Sequence, residues 1–401
     1  MIKYLSLFLL FFLAVLPRYG AIDIVLLLSC ILVMASLFKN GKLKNNKFWL
    51  INILSCSLIF IPTFVSFIYF GDYFGLVRLL KLLLLFMLVP LSLQIIGSKL
   101  FFSWFPFFLL LAVLILYVEY LDIGGGRALI NSVHNKLFYA RDVSFRAKGL
   151  FAGYSAAGVT CGFISLFSLF YTIKGRVNPF LGYGLFFLAL LATFFTGRTG
   201  IAISLLGTLV ILLRYIKALL SFNRAIYFLS VVFSFFLVSI FIYRELDWEV
   251  VNITIIRTFE IFYNYSETNN FSSESTTQLA KTISIPHDTF EIIFGNGLEP
   301  WSAYAISIGA HQTDSGLVQI LFMYGVLSFF LYYFSVFHGF LIMYFRKCDY
   351  DRMYFFLAIT LGIISEVKGH YIFSTLIFVL IFTPLIYLNE KDNRHENISE
   401  V

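Results

Sequence analysis

Apolar runs of about 20 residues recur from one end of the chain to the other, each as long as a helix that crosses the hydrocarbon layer of a bilayer. Short polar segments separate them. The pattern predicts twelve transmembrane helices, over 2–17, 22–38, 49–70, 74–96, 100–120, 149–173, 180–196, 199–220, 225–243, 315–345, 353–366 and 370–388. The run at 315–345 exceeds a perpendicular span, so it is expected to tilt or to project from the membrane. The first run, Tyr4 to Leu16, resembles a signal-peptide core. Pro17 and Arg18 follow it instead of a small-residue cleavage site, so a retained first helix is expected.

Composition fits this pattern. Of 401 residues, 60% are hydrophobic and 13% charged, with a mean hydropathy of +0.88; a soluble chain would carry about 25% charged residues. The expected fold is an all-α polytopic membrane protein. Loop charges orient it. With the N-terminus inside, the cytoplasmic loops hold Lys3, Lys39, Lys42, Lys44, Lys47, Lys99, Lys174, Arg176, Arg214, Lys217, Arg224, Arg346, Lys347, Arg352, Lys391 and Arg394. The short outer loops hold only Arg18, Arg198 and Lys368. Both termini are then cytoplasmic.

The organisation read from these signals is helices one to five over 1–120, an outer cationic loop over 121–148 and helices six to nine over 149–243. A large outer loop over 244–314, helices ten to twelve over 315–388 and a cytoplasmic tail over 389–401 complete it. The first loop carries Arg127, Lys136, Arg141, Arg146 and Lys148 against Asp122 and Asp142. The second is acidic, with Glu260 among ten carboxylates. It opens with VVNITIIRTFEIF, where Val251, Ile255, Phe259 and Phe262 have helical spacing. That stretch predicts an amphipathic helix on the membrane or on the bundle. Its middle, NYSETNNFSSESTTQ, reads as a mobile loop or a helix connection.

Several classes of chemistry find no support. Cys30, Cys56, Cys161 and Cys348 are scattered without CxxC spacing, so neither a disulfide framework nor a zinc site is expected. No GxxxxGK[ST] loop is present, so no ATP motor is visible. No cofactor is implied.

Six polar features stand out on the predicted outer side. RAKGLFAGYSAAG places Arg146 and Lys148 at the mouth of the sixth helix, followed by small residues that allow close approach of a helix or a ligand. Interfacial anchoring with tight packing explains the same residues. FFTGRTG sets Arg198 alone between two apolar spans. A guanidinium on a glycine turn suits bidentate phosphate recognition; a snorkelling arginine is the plainer account. Arg78 and Lys81 share one face of the fourth helix and either face a cavity or pair with Asp72. Arg257, with Arg244 before it, sits in the acidic loop, where a surface ion pair accounts for it. Glu366, Lys368 and His370 read as a polar turn. The last feature is HQTDSGLVQILFMYG, where His311, Asp314 and Ser315 have i, i+3, i+4 spacing and would share one face of a helix starting there. Asp314 can equally be that helix's N-cap.

Arginines suit a diphosphate, and a carboxylate or imidazole suits removal of a hydroxyl proton. The combination fits transfer of a group from a lipid diphosphate to an alcohol, with no nucleotide needed. At this point the chain resembles the O-antigen polymerase and ligase superfamily of bacterial surface-polysaccharide assembly. FTGRTGIAISLL resembles that family's Thr-Gly-Ser-Arg-Thr-Gly-type turn, and RAKGLFAGYSAAG resembles its upstream Arg…Gly-Leu-Phe segment. GNGLEP followed by HQTDSGLVQILFMYGVLS resembles the segment closing its large loop. Where the ligases carry histidine, this chain has Asp314, then Ser315, Gly325 and Ser328; an Asp-Ser-Gly version resembles the polymerase branch.

The resemblance implies an inverting, metal-independent glycosyltransferase, multi-pass in the bacterial inner membrane. It would extend a polysaccharide on undecaprenyl pyrophosphate at the periplasmic face. Arg198 and Arg146 would contact the diphosphate, with Arg257, Arg78 and Lys148 as further candidates. Asp314 or His311 would act as base or orient the acceptor. The implied partners are undecaprenyl-pyrophosphate-linked glycans and membrane lipid, with a chain-length regulator protein as a further candidate and no nucleic acid. Alternatives are an O-antigen ligase, a lipid-linked oligosaccharide flippase and a structural membrane scaffold.

Overall fold

The computed structural model describes residues 2–15, 27–28, 30–32, 34–35, 47–135, 145–151, 153–219, 248–269, 273–298, 303–308, 311–345 and 349–399. Every regular element among them is helical. In chain order they are α1 (Ile2–Val15), α2 (Lys47–Phe70), α3 (Phe74–Ile96), α4 (Ser98–Tyr120), α5 (Gly126–Asn135), α6 (Tyr154–Ile173), α7 (Pro179–Thr196), α8 (Arg198–Leu219), α9 (Trp248–Thr258), α10 (Glu260–Thr268), α11 (Glu274–Thr282), α12 (Thr289–Phe294), α13 (Ala303–Ser307), α14 (Gly316–Tyr332), α15 (Phe334–Phe345), α16 (Asp349–Glu366) and α17 (Thr375–Ser399).

Seven of the described helical stretches are long and apolar enough to cross a membrane: α2, α3, α4, α6, α7, α8 and the α14–α15 run. The chain thus has the character of a polytopic helical membrane protein. Apolar stretches in α1 and α17 are shorter. The expected span at 22–38 lies largely outside the described residues and that at 225–243 wholly so. The polar tract at 264–278, expected as a mobile loop or a helix connection, joins the end of α10 to α11 and is largely helical where described. A capping box between Ser273 and Thr276 starts α11 there.

The helices fall into two compact units. The first comprises 1–28 with 96–272. Its centre is α6, buried from Ala157 to Ile173 and packed against α7 and α8. Small residues make this possible. A Cβ on Gly158 would sit 2.8 Å from the Cα of Gly197, and one on Gly200 would sit 2.1 Å from the Gly158 carbonyl oxygen. The backbones of α6 and of the α7–α8 turn therefore touch directly, as small-residue motifs allow. Gly162 continues the contact one turn on, against the Gly200 carbonyl and Ile203. At the other end, Asn178 starts α7 by accepting from the N–H groups of Phe180 and Leu181 at 3.0 and 3.3 Å, with Pro179 at the first helical position. Phe101 and Phe105 of α4 stack on each other, and Phe102 stacks on Phe167 of α6. The Tyr117 hydroxyl ties α4 to α7 by donating to the Leu188 carbonyl at 2.8 Å.

The second unit comprises 29–95 with 273–401. The run expected as one helix over 315–345 is broken inside its candidate span. Gly325 has φ +73° and ψ 174°, open to glycine and strained for other residues. The break strips carbonyls of their helical donors, and GNGL returns to supply new ones. Asn296 N–H donates to the Phe322 carbonyl at 2.7 Å, and Gly297 N–H to that of Met323 at 3.0 Å. The Ser66 hydroxyl lies 2.9 Å from both the Phe294 and Gly295 carbonyl oxygens. Non-helical backbone within a span is tolerated only when protein satisfies it, and here a loop whose donors lie 26 residues upstream of their acceptors does so.

The Gly158–Gly200 contact can be tested. Gly200→Ala forces a methyl into a backbone carbonyl and should destabilise the protein by about 1–3 kcal/mol. Gly184, in α7, has no atom near its would-be Cβ, so Gly184→Ala should leave stability unchanged or slightly raised. Thermal unfolding of the two purified variants in detergent decides; equal melting temperatures would refute the contact.

Candidate anion-binding site

The helix ends of the first unit position a basic cleft. Where α7 ends and α8 begins, Gly197 is extended and Arg198 follows as the first helical residue. The chain at 145–149 runs beside this turn, held by the Ala147 N–H donating to the Phe195 carbonyl at 3.0 Å. On its far side lies α9. Thr254 donates to the Phe145 carbonyl at 3.3 Å, and Thr258 to the Phe194 carbonyl at 3.4 Å. The cleft so formed is lined by Phe145, Arg146, Phe194, Thr196, Gly197, Arg198, Thr254, Arg257 and Thr258.

Three of the expected anion ligands thus line one cleft. Arg198 is half-buried and pairs with Glu260, Nη1 to Oε2, at 2.9 Å. Arg146 makes no ion pair among the described residues; its guanidinium lies over the rings of Phe145 and Tyr154 at 5.7 and 6.0 Å. Arg257 lies over the same Phe145 ring at 5.7 Å. Burial, and the positive charges of Arg198 and Arg257, push the Arg146 pKa below its ordinary value. Burial is the larger cause, and the two neighbouring guanidiniums add repulsion to it. An entering anion would relieve that repulsion, and the N-terminus of α8 would favour it further.

Lys148, the fourth basic candidate of this unit, points elsewhere. Its side chain is fully buried, and Nζ has no hydrogen-bond partner among the described residues; it lies 5.8 Å from the centre of the Tyr154 ring. Its backbone explains the geometry. Glu119, fully buried near the end of α4, accepts from the N–H groups of Lys148 and Gly149 at 2.8 and 2.6 Å through a single oxygen. This capture holds 148–151 as a turn, with Gly149 at φ +56°, so α6 starts at Tyr154 and not at the expected 149. Glu119 escaped the sequence reading. The available signal was a lone carboxylate inside an apolar span, which is costly unless it is used.

The other expected site residues belong to the second unit. His311 and Asp314 do not share a helical face, because α14 starts only at Gly316. Its N-cap is Ser315, not Asp314. Ser315 N–H donates to Thr313 Oγ1 at 3.1 Å, so the threonine shapes the turn instead. Asp314 is exposed. His311 Nε2 sits 2.7 Å from the Thr282 carbonyl oxygen, and the ring stacks on Phe322; both contacts anchor the loop. Arg78 lies within electrostatic reach of Tyr333.

Glu366, read from sequence as part of a polar turn, is fully buried. It accepts from the Tyr333 hydroxyl and from the N–H groups of Tyr371 and Ile372, each at 2.6 Å, and contacts His370 Nδ1 at 2.9 Å. His370 Nε2 meets the Tyr332 hydroxyl at 2.8 Å. Four partners around one carboxylate make it the organiser of that turn.

No family model matches the chain, and neither a curated protein nor a solved structure matches it.

Glu119→Ala would leave two buried N–H donors without an acceptor. The expected destabilisation is about 2–6 kcal/mol, at about 1–3 kcal/mol for each donor. Because Arg146 is carried by the same segment, accessibility of 145–151 to limited proteolysis should rise. A variant with wild-type melting temperature and cleavage pattern would remove Glu119 from this role.

Proposed function

We propose that the chain is an O-antigen polymerase, a glycosyltransferase acting on undecaprenyl-pyrophosphate-linked repeat units at the periplasmic face of the bacterial inner membrane. The observation that carries the reading is the convergence of Arg146, Arg198 and Arg257 on one cleft. Arginine forks bind phosphate oxygens in bidentate fashion. In the reaction an acceptor hydroxyl loses its proton to a base, and its oxygen forms a bond to the anomeric carbon. The bond from that carbon to the diphosphate breaks, and the diphosphate leaves with the electron pair. Charge then builds on the leaving oxygens, where preorganised cations stabilise the transition state most. The proposal also carries the twelve-span arrangement, with both termini cytoplasmic and the cleft outside.

The aspartate in the family-like motif favours the polymerase over the ligase. Asp314 is exposed and makes no hydrogen bond or ion pair among the described residues, so its carboxylate is available as a proton acceptor. His311 Nε2 is already engaged by the loop it anchors.

Deletion of the gene in the parent bacterium should leave lipopolysaccharide capped with a single repeat unit. Re-expressed wild-type chain should restore the full ladder. Arg198→Ala and Arg146→Ala, at matched membrane levels, should each lower polymerisation by about 100- to 1000-fold, the effect of losing one preorganised charge-stabilising group. Loss of all O-antigen on deletion would point to a ligase. A full ladder from both arginine variants would overturn the proposal.

A further inference from the structure

The geometry points to Glu260 as the residue that governs release of the diphosphate: an internal carboxylate that takes Arg198 when the cleft is empty and yields it when a diphosphate enters. This inference rests on the reading of the cleft as a diphosphate seat. It concerns turnover at that seat, not its existence.

Three observations support it. First, Glu260 meets the very guanidinium that the cleft presents to an anion, at 2.9 Å, and both side chains keep solvent access, at 22% for Arg198 and 17% for Glu260. A pair of this kind is worth little and is readily exchanged, whereas a buried one would be costly to open. Secondly, Glu260 acts on more than one cation. Its charge also reaches Arg146, so it offsets part of the mutual repulsion of the arginines while no ligand is bound. Thirdly, Glu260 stands just beyond a break in the helical run, on an element that contributes no side chain to the core. The preceding helix, α9, is fastened by Thr254 and Thr258 to the carbonyls of Phe145 and Phe194. The helical run is then interrupted at Phe259. Glu260 is the first residue of α10, which buries no side chain. Swinging α10 away from Arg198 would leave the α9 anchors in place and expose no core.

The same carboxylate serves release. After transfer, a diphosphate with increased charge sits among three guanidiniums and would dissociate slowly. Glu260 competes with it for Arg198 from within the chain, at a high effective concentration. A carboxylate held in this way lowers affinity and raises the off-rate together. If Glu260 served only to orient Arg198, its loss would weaken anion binding. The two roles therefore differ in the sign of the effect.

The test uses the full-length chain purified in detergent, with inorganic pyrophosphate as the probe, and compares wild type, Glu260→Gln and Arg198→Ala by calorimetric titration. Glu260→Gln keeps the shape and removes the charge. It should tighten pyrophosphate binding by about two- to fivefold and slow its dissociation in a stopped-flow chase. Unchanged or weaker binding by Glu260→Gln, with Arg198→Ala losing affinity, would overturn the role of Glu260 and leave the seat intact. Undiminished binding by Arg198→Ala would overturn the diphosphate seat itself, and the inference with it.

Discussion

The first unit depends on one contact, in which two backbones meet with no side chains between them. Gly158 on α6 faces Gly197 and Gly200 at the α7–α8 turn so closely that a single added carbon would strike the backbone. That approach sets where α8 begins and therefore where Arg198 stands. A larger residue would push the turn outward and carry the guanidinium with it. Because Arg198 is the first residue of its helix, its Cα is fixed by the packing, and only its side chain remains to adapt. Placement of a charge to within a fraction of an ångström needs this kind of support from rigid elements.

The second arginine is placed by a different device. Glu119 is a carboxylate in a position that ordinarily demands an apolar residue. Its cost is offset by the two N–H groups it draws in from 148 and 149, which turn the chain and leave Arg146 beside Arg198. The second unit solves a comparable problem with Glu366, whose partners gather the 366–372 turn. Its helix break at Gly325 is satisfied by a loop that brings its own N–H donors. In each case irregular backbone near or within an apolar span is paired inside the protein, as the absence of water there requires. Buried carboxylates and glycine breaks are thus the structural counterpart of the exposed polar groups above them.

This division explains what could be read in the sequence. Apolar runs located the seven candidate spans among the described residues, and the predicted 74–96 coincides with α3, because hydropathy measures a local property. The small-residue stretch after Gly149 correctly signalled a close approach. Its partner, the Gly197–Gly200 turn, was noticed only for its arginine. What failed was local geometry decided by distant partners. The sixth helix begins five residues late because of a carboxylate 30 positions upstream. The start of α14 is shaped by Thr313 and not by the favoured cap Asp314. For the apolar stripe of α9 and α10, expected on the membrane or on the bundle, the bundle alternative fails: Ile255, Phe259 and Phe262 are exposed, and the face turned to the bundle carries Thr254. Helical spacing identified the stripe, but it carried no information about which face packs on protein.

Glu260 shows the limit most clearly. In the sequence it is one acidic residue among ten in a long loop, and nothing local distinguishes it from Glu267 or Glu249. Its significance comes from Arg198, 62 residues earlier. A partly buried cluster of like charges raises the energy of the fold unless a counter-charge lies near, because repulsion grows as the dielectric falls. Three arginines lining one cleft therefore call for a counter-charge, and Glu260 supplies it to Arg198. On the proposed reading that counter-charge must keep some solvent access and stand on an element that exposes no core when it shifts. A half-exposed ion pair at the start of a helix with no buried side chain meets both conditions, whereas a buried pair such as that of Glu366 with His370 meets neither. The two carboxylates are chemically alike. Their burial assigns one to hold the fold and leaves the other able to exchange its partner.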